Sequence, residues 1–352
     1  MISNFQNIQA TKLLMRLSSY PAVFLLCAGI ALSFVSILGF SSLGCNRSST
    51  SSAGSSGESS PASLSNRVFA ASYPLQFLTQ EIVGDQIEVL VPFESASDPR
   101  TSKPTRETIG KMQQSDLVIA NGIGATYAKW LAVVSVPDSK IINAASHGLA
   151  LTEFIALKGE AIVHSHGPEG EHSHPVMAAR TWLDPSLAKK QANYIAKQLK
   201  QTYPEHANRF DENLASLQSR LDVLVGEMDR LKGLIEQQSP VVFGDSKFAF
   251  FTRAAGYSGE PLKGLTVGLD KNDDELLSKL KSQLAQGKDK ENPGLALVEE
   301  GIPLPEFTSH VCRSLKIQPV EINLLDHRPS QGDYISVMKM NIARVAEAID
   351  PE

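Results

Sequence analysis

At 352 residues and 38.1 kDa the chain can build two units of ordinary domain size, which excludes a small disulfide-stapled scaffold. Hydrophobic residues at 42% and charged residues at 20% exclude wholesale disorder and a polytopic membrane protein. A formal net charge of -5 offers no general basic face for nucleic acid, and three cysteines without C-x-x-C spacing write neither a disulfide framework nor a thiolate zinc site.

Lys12 and Arg16 precede an apolar stretch from Tyr20 to Phe40, and no acidic residue occurs before Glu58, the asymmetry of an export signal. The stretch closes on Ser42-Leu43-Gly44-Cys45, close to the lipobox of bacterial lipoproteins, although Ser42 stands where leucine is usual. Residues 1–44 are therefore expected to be a leader and Cys45 a lipidation site. An uncleaved signal anchor is the alternative, because twenty-one apolar residues suffice to span a bilayer. Either way the protein is expected to be exported, periplasmic or at the cell surface, and tethered to a membrane. Residues 45–66 are Ser/Gly-rich and read as a flexible linker.

Arg67 to Ala71 reads as a strand, Tyr73 to Ile82 as a helix and Ile87 to Val91 as a strand. The alternation repeats with a helix over Thr105 to Gln114, a buried strand at Leu117 to Ala120, a helix over Tyr127 to Val133 and a strand at Lys140 to Asn143. Asp184-Pro185 is a cap and first-turn pair opening a helix to about Gln201. From Pro204, Phe210, Leu214, Leu217, Leu221, Leu224, Met228, Leu231 and Ile235 recur in steps of four and three, predicting one uninterrupted helix about 50 Å long. Such a helix should bridge two lobes within one chain, with a coiled-coil dimer as the alternative and a monomer expected. Beyond it, strands are predicted at Val241 to Phe243, Leu295 to Glu299 and Val320 to Leu324. Helices are predicted at Lys247 to Ala255, Asp273 to Gln286 and Phe307 to Leu315. The fold class is α/β: two lobes (67–203 and 239–352), each with a parallel-type sheet flanked by helices, joined by one long rigid helix (204–238).

Ala71-Ser72-Tyr73-Pro74-Leu75, Ile82-Val83-Gly84-Asp85, Asp116 to Gly122 with Trp130-Leu131, Trp182-Leu183-Asp184-Pro185, and Gly332-Asp333-Tyr334 with Met338 follow in order along the chain. Together they resemble the solute-binding proteins of zinc and manganese ABC importers, from about Arg67 to Ile349. The resemblance implies two lobes joined by a rigid helix, capture of a divalent metal, and delivery to an ABC permease. Zinc is the expected ion, with manganese or another divalent transition metal as alternatives.

Four of the eight histidines, His164, His166, His172 and His174, lie within eleven residues as two H-x-H pairs on a Gly/Pro-bent loop, a natural nitrogen donor set for zinc. Elsewhere the sequence departs from the family, whose usual ligands are three histidines and a carboxylate. The histidine positions fall at Arg100, Arg180 and Asp245, the carboxylate position is kept at Asp326, and Asp98 and His327 stand nearby. A guanidinium has no lone pair to donate. In one reading the loop histidines enter the cleft and complete a site with Asp245 and Asp326. In the other, Arg100 and Arg180 pair with those aspartates or with an anionic ligand, and Asp245 serves as a helix N-cap. His147, His206 and His310 read as surface or loop residues and Cys312 as core. No catalytic motif is present, so an enzyme is not expected; the alternatives kept are an adhesin or accessory surface protein on the same fold, and a zinc hydrolase using the H-x-H pairs.

Overall fold

The computed structural model describes residues 65–92, 103–123, 134–165, 171–257, 274–285 and 294–351, with 158–165 and 171–175 given by their backbone path alone. The leader, the linker up to residue 64, Cys45, Asp98, Arg100, His166 and the helix expected over Tyr127 to Val133 lie outside the described residues.

The first half is built on β1 (Arg67–Ala70), α1 (Tyr73–Val83), β2 (Glu88–Leu90), α2 (Arg106–Gln114), β3 (Leu117–Ala120) and β4 (Ile141–Asn143). All pairings are parallel, in the order β2-β1-β3-β4, with Phe69 level with both Leu90 and Val118. The Leu-Val-Ile-Ala run of β3 is buried at every residue, as a strand covered on both faces requires. Pro74 sits in the first turn of α1, where its missing N–H costs nothing, and Leu75, Leu78 and Ile82 face the core.

β5 (Ala156–Ser165) and β6 (Glu171–Met177) form an antiparallel hairpin that pairs His164 with His172 and Ile162 with His174. Of the expected His-rich loop, the described residues 164–165 and 171–174 are paired strand. The physical reason is legible after the fact, because His-Ser-His is itself a period-two pattern and it recurs on both sides of Gly167-Pro168-Glu169-Gly170-Glu171.

α3 (Pro185–Thr202) begins as expected, with the Asp184 carboxylate accepting from Ser186 N–H at 2.9 Å. After a short 3-10 turn, α4 (Ala207–Gln238) runs 32 residues, about 48 Å. Its buried stripe, Phe210, Leu217, Leu221, Leu224, Met228, Leu231 and Ile235, belongs to the main core, and the helix packs against α1, α3 and α8 (Tyr334–Ile349) of its own chain. The seam that could have served a coiled-coil dimer is thus used within the chain.

The second half carries β7 (Val242–Phe243), α5 (Ala249–Ala254), α6 (Asp274–Leu284), β8 (Leu295–Glu299), α7 (Glu306–Ser314) and β9 (Gln318–Ile322), with β7, β8 and β9 parallel in that order. The helix expected from Lys247 starts instead as a 3-10 turn, Ser246–Phe248, before α5. One core runs from Val68 in β1 through α4 to Ile322 in β9. No helix among the described residues is long and apolar enough to cross a membrane.

Candidate functional site

Arg180 joins the two halves of the chain through Asp326. Its Nε donates to Asp326 Oδ1 at 2.9 Å and its Nη2 to Oδ2 at 2.6 Å, a forked pair whose side chains are only 9% and 7% exposed. Of the two cleft readings, the structure therefore shows the Arg180–Asp326 half of the arginine alternative.

The pair is held in place from both sides. Asn121, at the end of β3, donates to Ala179 O at 2.6 Å and accepts from Thr181 Oγ1 at 3.1 Å and Gln191 Nε2 at 2.9 Å, so buried amides clamp the residues on either side of Arg180. Trp182 Nε1 donates to Leu324 O at 2.9 Å, and the Tyr334 hydroxyl donates to Trp182 O at 2.6 Å. These two bonds tie the Arg180 segment to the chain just ahead of Asp326 and to the start of α8. Burial raises the Tyr334 hydroxyl far above the ordinary tyrosine range, with Asp184 adding to it, so it remains a donor. Sequence reasoning used Asn121, Trp182 and Tyr334 only as parts of motifs and missed their role as braces.

Asp245 caps the 3-10 turn, accepting from Lys247 N–H at 2.7 Å, with Lys247 Nζ at 3.7 Å from its other oxygen and at 2.7 Å from Glu299 Oε2. The cap reading of Asp245 is what the structure shows. Among the described residues no three His, Cys, Asp or Glu side chains come together as a metal-ligand group. The histidine hairpin is rooted at the Ala156–Met177 pairing, three residues ahead of Arg180, and the Ala178 N–H donates to Ile155 O at 2.9 Å beneath it. The strand pair that carries His164, His172 and His174 thus has its base joined to the chain segment that bears Arg180.

Beside the pair lies a cavity of about 320 Å³, lined by Ser72 and Tyr73 at the start of α1, by the end of β2, and by Asp326, His327 and Arg328. Ser72 is 4% exposed, and its hydroxyl has no hydrogen-bond partner; although it stands at the cap position of α1, it makes no capping bond. Burial pushes the Tyr73 hydroxyl up to about 12, with Asp333 adding and Arg328 opposing. His327, expected near the site, lines this cavity; Arg328 and Ser72 were not among the candidates, because nothing in their local spacing marks them.

The remaining histidines lie elsewhere. His147 is exposed with Nδ1 at 3.5 Å from the Tyr194 hydroxyl, His206 packs on the Phe210 ring, and His310 is exposed on α7. Cys312 is buried, and burial raises its thiol.

Comparison with known proteins bears on all of this. Residues 68–348 match the family model described as ZnuA, zinc-uptake complex component A, periplasmic. The manganese ABC transporter substrate-binding lipoprotein PsaA of Streptococcus pneumoniae is 25% identical over 339 residues, covering 92% of this chain and 98% of its own. The zinc-binding lipoprotein AdcA of Streptococcus pneumoniae serotype 4 is 24% identical over 287 residues, 80% of this chain and 55% of its own. Among solved structures, the metal-dependent lipoprotein YcdH of Bacillus subtilis superposes with a TM-score of 0.62 at 18% identity, covering 80% of this chain and 98% of that one.

Proposed function

Because the chain belongs to the family of the periplasmic zinc-uptake complex component A, whose members are substrate-binding proteins of ABC importers and not enzymes, we propose that it captures divalent zinc outside the cytoplasm and hands it to an ABC permease. The observation that carries the reading is the histidine hairpin, whose register sets His164 opposite His172 and whose base, the Ala156–Met177 pairing, stands three residues of chain ahead of Arg180. Imidazole nitrogens suit zinc better than manganese, which prefers oxygen donors, so the donor set of the hairpin favours zinc over the manganese named for PsaA. Asp326 and Asp245 already accept hydrogen bonds from Arg180 and Lys247. The primary ligands we assign are therefore His164, His166, His172 and His174, with either aspartate joining only when its own partner lets go. Export and tethering through Cys45, and a Ser/Gly linker long enough to let the body reach a permease, complete the proposal.

The test is a zinc titration, in a non-coordinating buffer, of the chain from Asn46 onward. One tightly bound zinc is expected, with affinity falling at least about tenfold when residues 164–174 are replaced by a Gly/Ser turn and unchanged in His206→Ala. Unchanged zinc affinity after the replacement would overturn the histidine assignment.

A further inference from the structure

The cavity beside the Arg180–Asp326 pair has the wrong electrostatics for a bare cation. Among the described residues the one carboxylate lining it, Asp326, is neutralised by a forked guanidinium. Arg328 on the same wall is exposed, and among the described residues no carboxylate lies within ion-pair distance of it. Its wall includes the N-terminus of α1, an eleven-residue helix whose Tyr73 and Leu75 N–H groups have no acceptor within the helix, Pro74 having no N–H, and which carries no acidic residue in its first turn. At that end sits the buried Ser72 hydroxyl, a donor without a partner in a place where nearly all buried polar groups have one. His327 adds an imidazole to the same wall. A free cation, an oriented helix terminus and an orphaned hydroxyl converge on one hollow, and a volume of about 320 Å³ is at the lower end of the range for small-molecule sites.

We propose that this cavity binds a small ligand through an anionic oxygen group, a carboxylate or an oxyanion, with Arg328 supplying the charge and Ser72 and the first-turn amides of α1 supplying directed hydrogen bonds. The ligand could arrive from two sources with the same chemistry: as a free anion, or as the organic acid that chelates the metal being carried. The second source rests on the zinc reading above; the first does not. Either one explains why the chain keeps arginine rather than histidine at position 180, since a guanidinium that neutralises Asp326 removes the charge that would repel an anion.

The experiment uses the chain from Asn46 onward, stripped of metal, and calorimetric titration at low ionic strength with inorganic phosphate, with citrate, and with equimolar zinc citrate. Arg328→Glu is the main variant, because the residue is exposed and its replacement should leave the fold intact. Ser72→Ala is the second, because the hydroxyl makes no bond that the substitution would break. Binding of phosphate or citrate alone, weakened at least about tenfold by Arg328→Glu and several-fold by Ser72→Ala, supports a free anion. Binding of zinc citrate only, with the same sensitivity, supports a chelate. No binding of any of the three up to about 10 mM, or binding equal in wild type and both variants, overturns the proposal. Zinc titration of Arg328→Glu without citrate separates the two readings. Zinc binding that persists when the anion results are negative leaves the hairpin assignment standing, and anion binding that persists when the hairpin replacement has no effect on zinc leaves only the cavity assignment.

Discussion

Arg180→Met should be among the most damaging substitutions in the chain. Asp326 keeps 7% of its side-chain exposure in the folded protein and receives both prongs of the Arg180 fork, at 2.9 and 2.6 Å. Removing the guanidinium leaves a desolvated carboxylate facing a gap, which costs about 3–5 kcal/mol when a buried pair is broken from one side. Replacing both members, Arg180→Met with Asp326→Leu, removes the charge together with its partner and should return most of that loss, ending within about 1–2 kcal/mol of wild type. The double-mutant cycle therefore carries a coupling energy of at least about 2 kcal/mol. Urea denaturation followed by tryptophan fluorescence reads it directly, since Trp182 is buried two residues from Arg180 and bonded to Leu324 O. The m-value should stay constant across the four proteins. If Arg180→Met costs less than about 1 kcal/mol and its effect simply adds to that of Asp326→Leu, the carboxylate is not desolvated and the Arg180–Asp326 fork is not a structural element.

Two further outcomes follow from the packing and the charges. Leu221→Ala, at a fully buried position in the middle of α4, should cost about 2–5 kcal/mol by urea denaturation, whereas Val223→Ala, on the exposed side of the same helix, should stay within about 0.5 kcal/mol. Burial pushes the Asp116 carboxyl up, but hydrogen bonds from Ser65 N–H, the Tyr203 hydroxyl and Arg67 N–H outweigh it and hold it below the ordinary aspartate value. A carboxyl lowered by folding contributes stability that is present above its unfolded value, about 3.9, and is lost as pH falls through the folded one. Melting temperatures measured from pH 6 down to pH 2 should therefore converge for wild type and Asp116→Asn as the solution becomes acidic; curves that stay parallel over that window would remove Asp116 from the account.

What the sequence made legible was what local pattern controls. The four-and-three stepping from Phe210 to Ile235 marks the long helix, and the apolar run Leu117 to Ala120 marks a buried strand, because in both cases spacing alone dictates the face that is buried. The Asp184 cap was equally local, whereas Thr105, read as the first helical residue, turns out to cap a helix that starts at Arg106. The hairpin at 156–177 was hidden because glycine and proline near its turn look like a loop while the period-two signal resides in histidines, which strand propensity barely recognises. The Arg180–Asp326 bond joins residues 146 apart, and no spacing rule reaches across that distance; only the family's ligand positions pointed to both residues. The cavity was the least legible part. Ser72 looks like a routine cap until the structure shows that its hydroxyl bonds nothing, and Arg328 is an ordinary surface arginine until β2 and α1 are brought beside it.

The same bonds constrain how a ligand can come and go. A wide hinge opening would have to break the Arg180–Asp326 fork and the Trp182–Leu324 and Tyr334–Trp182 bonds together, and it would peel α4 from helices on both sides of the cleft. Arg253 adds a further tie across the halves, donating from α5 to Glu153 O at 2.6 Å. Each buried group left unpaired costs on the order of 1–3 kcal/mol, so opening all of these at once would exceed what the differential binding of one small ligand supplies. The bonds named here therefore favour local rearrangement over a wide hinge. A permease that accepts ligand from such a frame must distinguish loaded from empty protein by surface side chains, and Arg328, exposed on the cavity wall, is one of them.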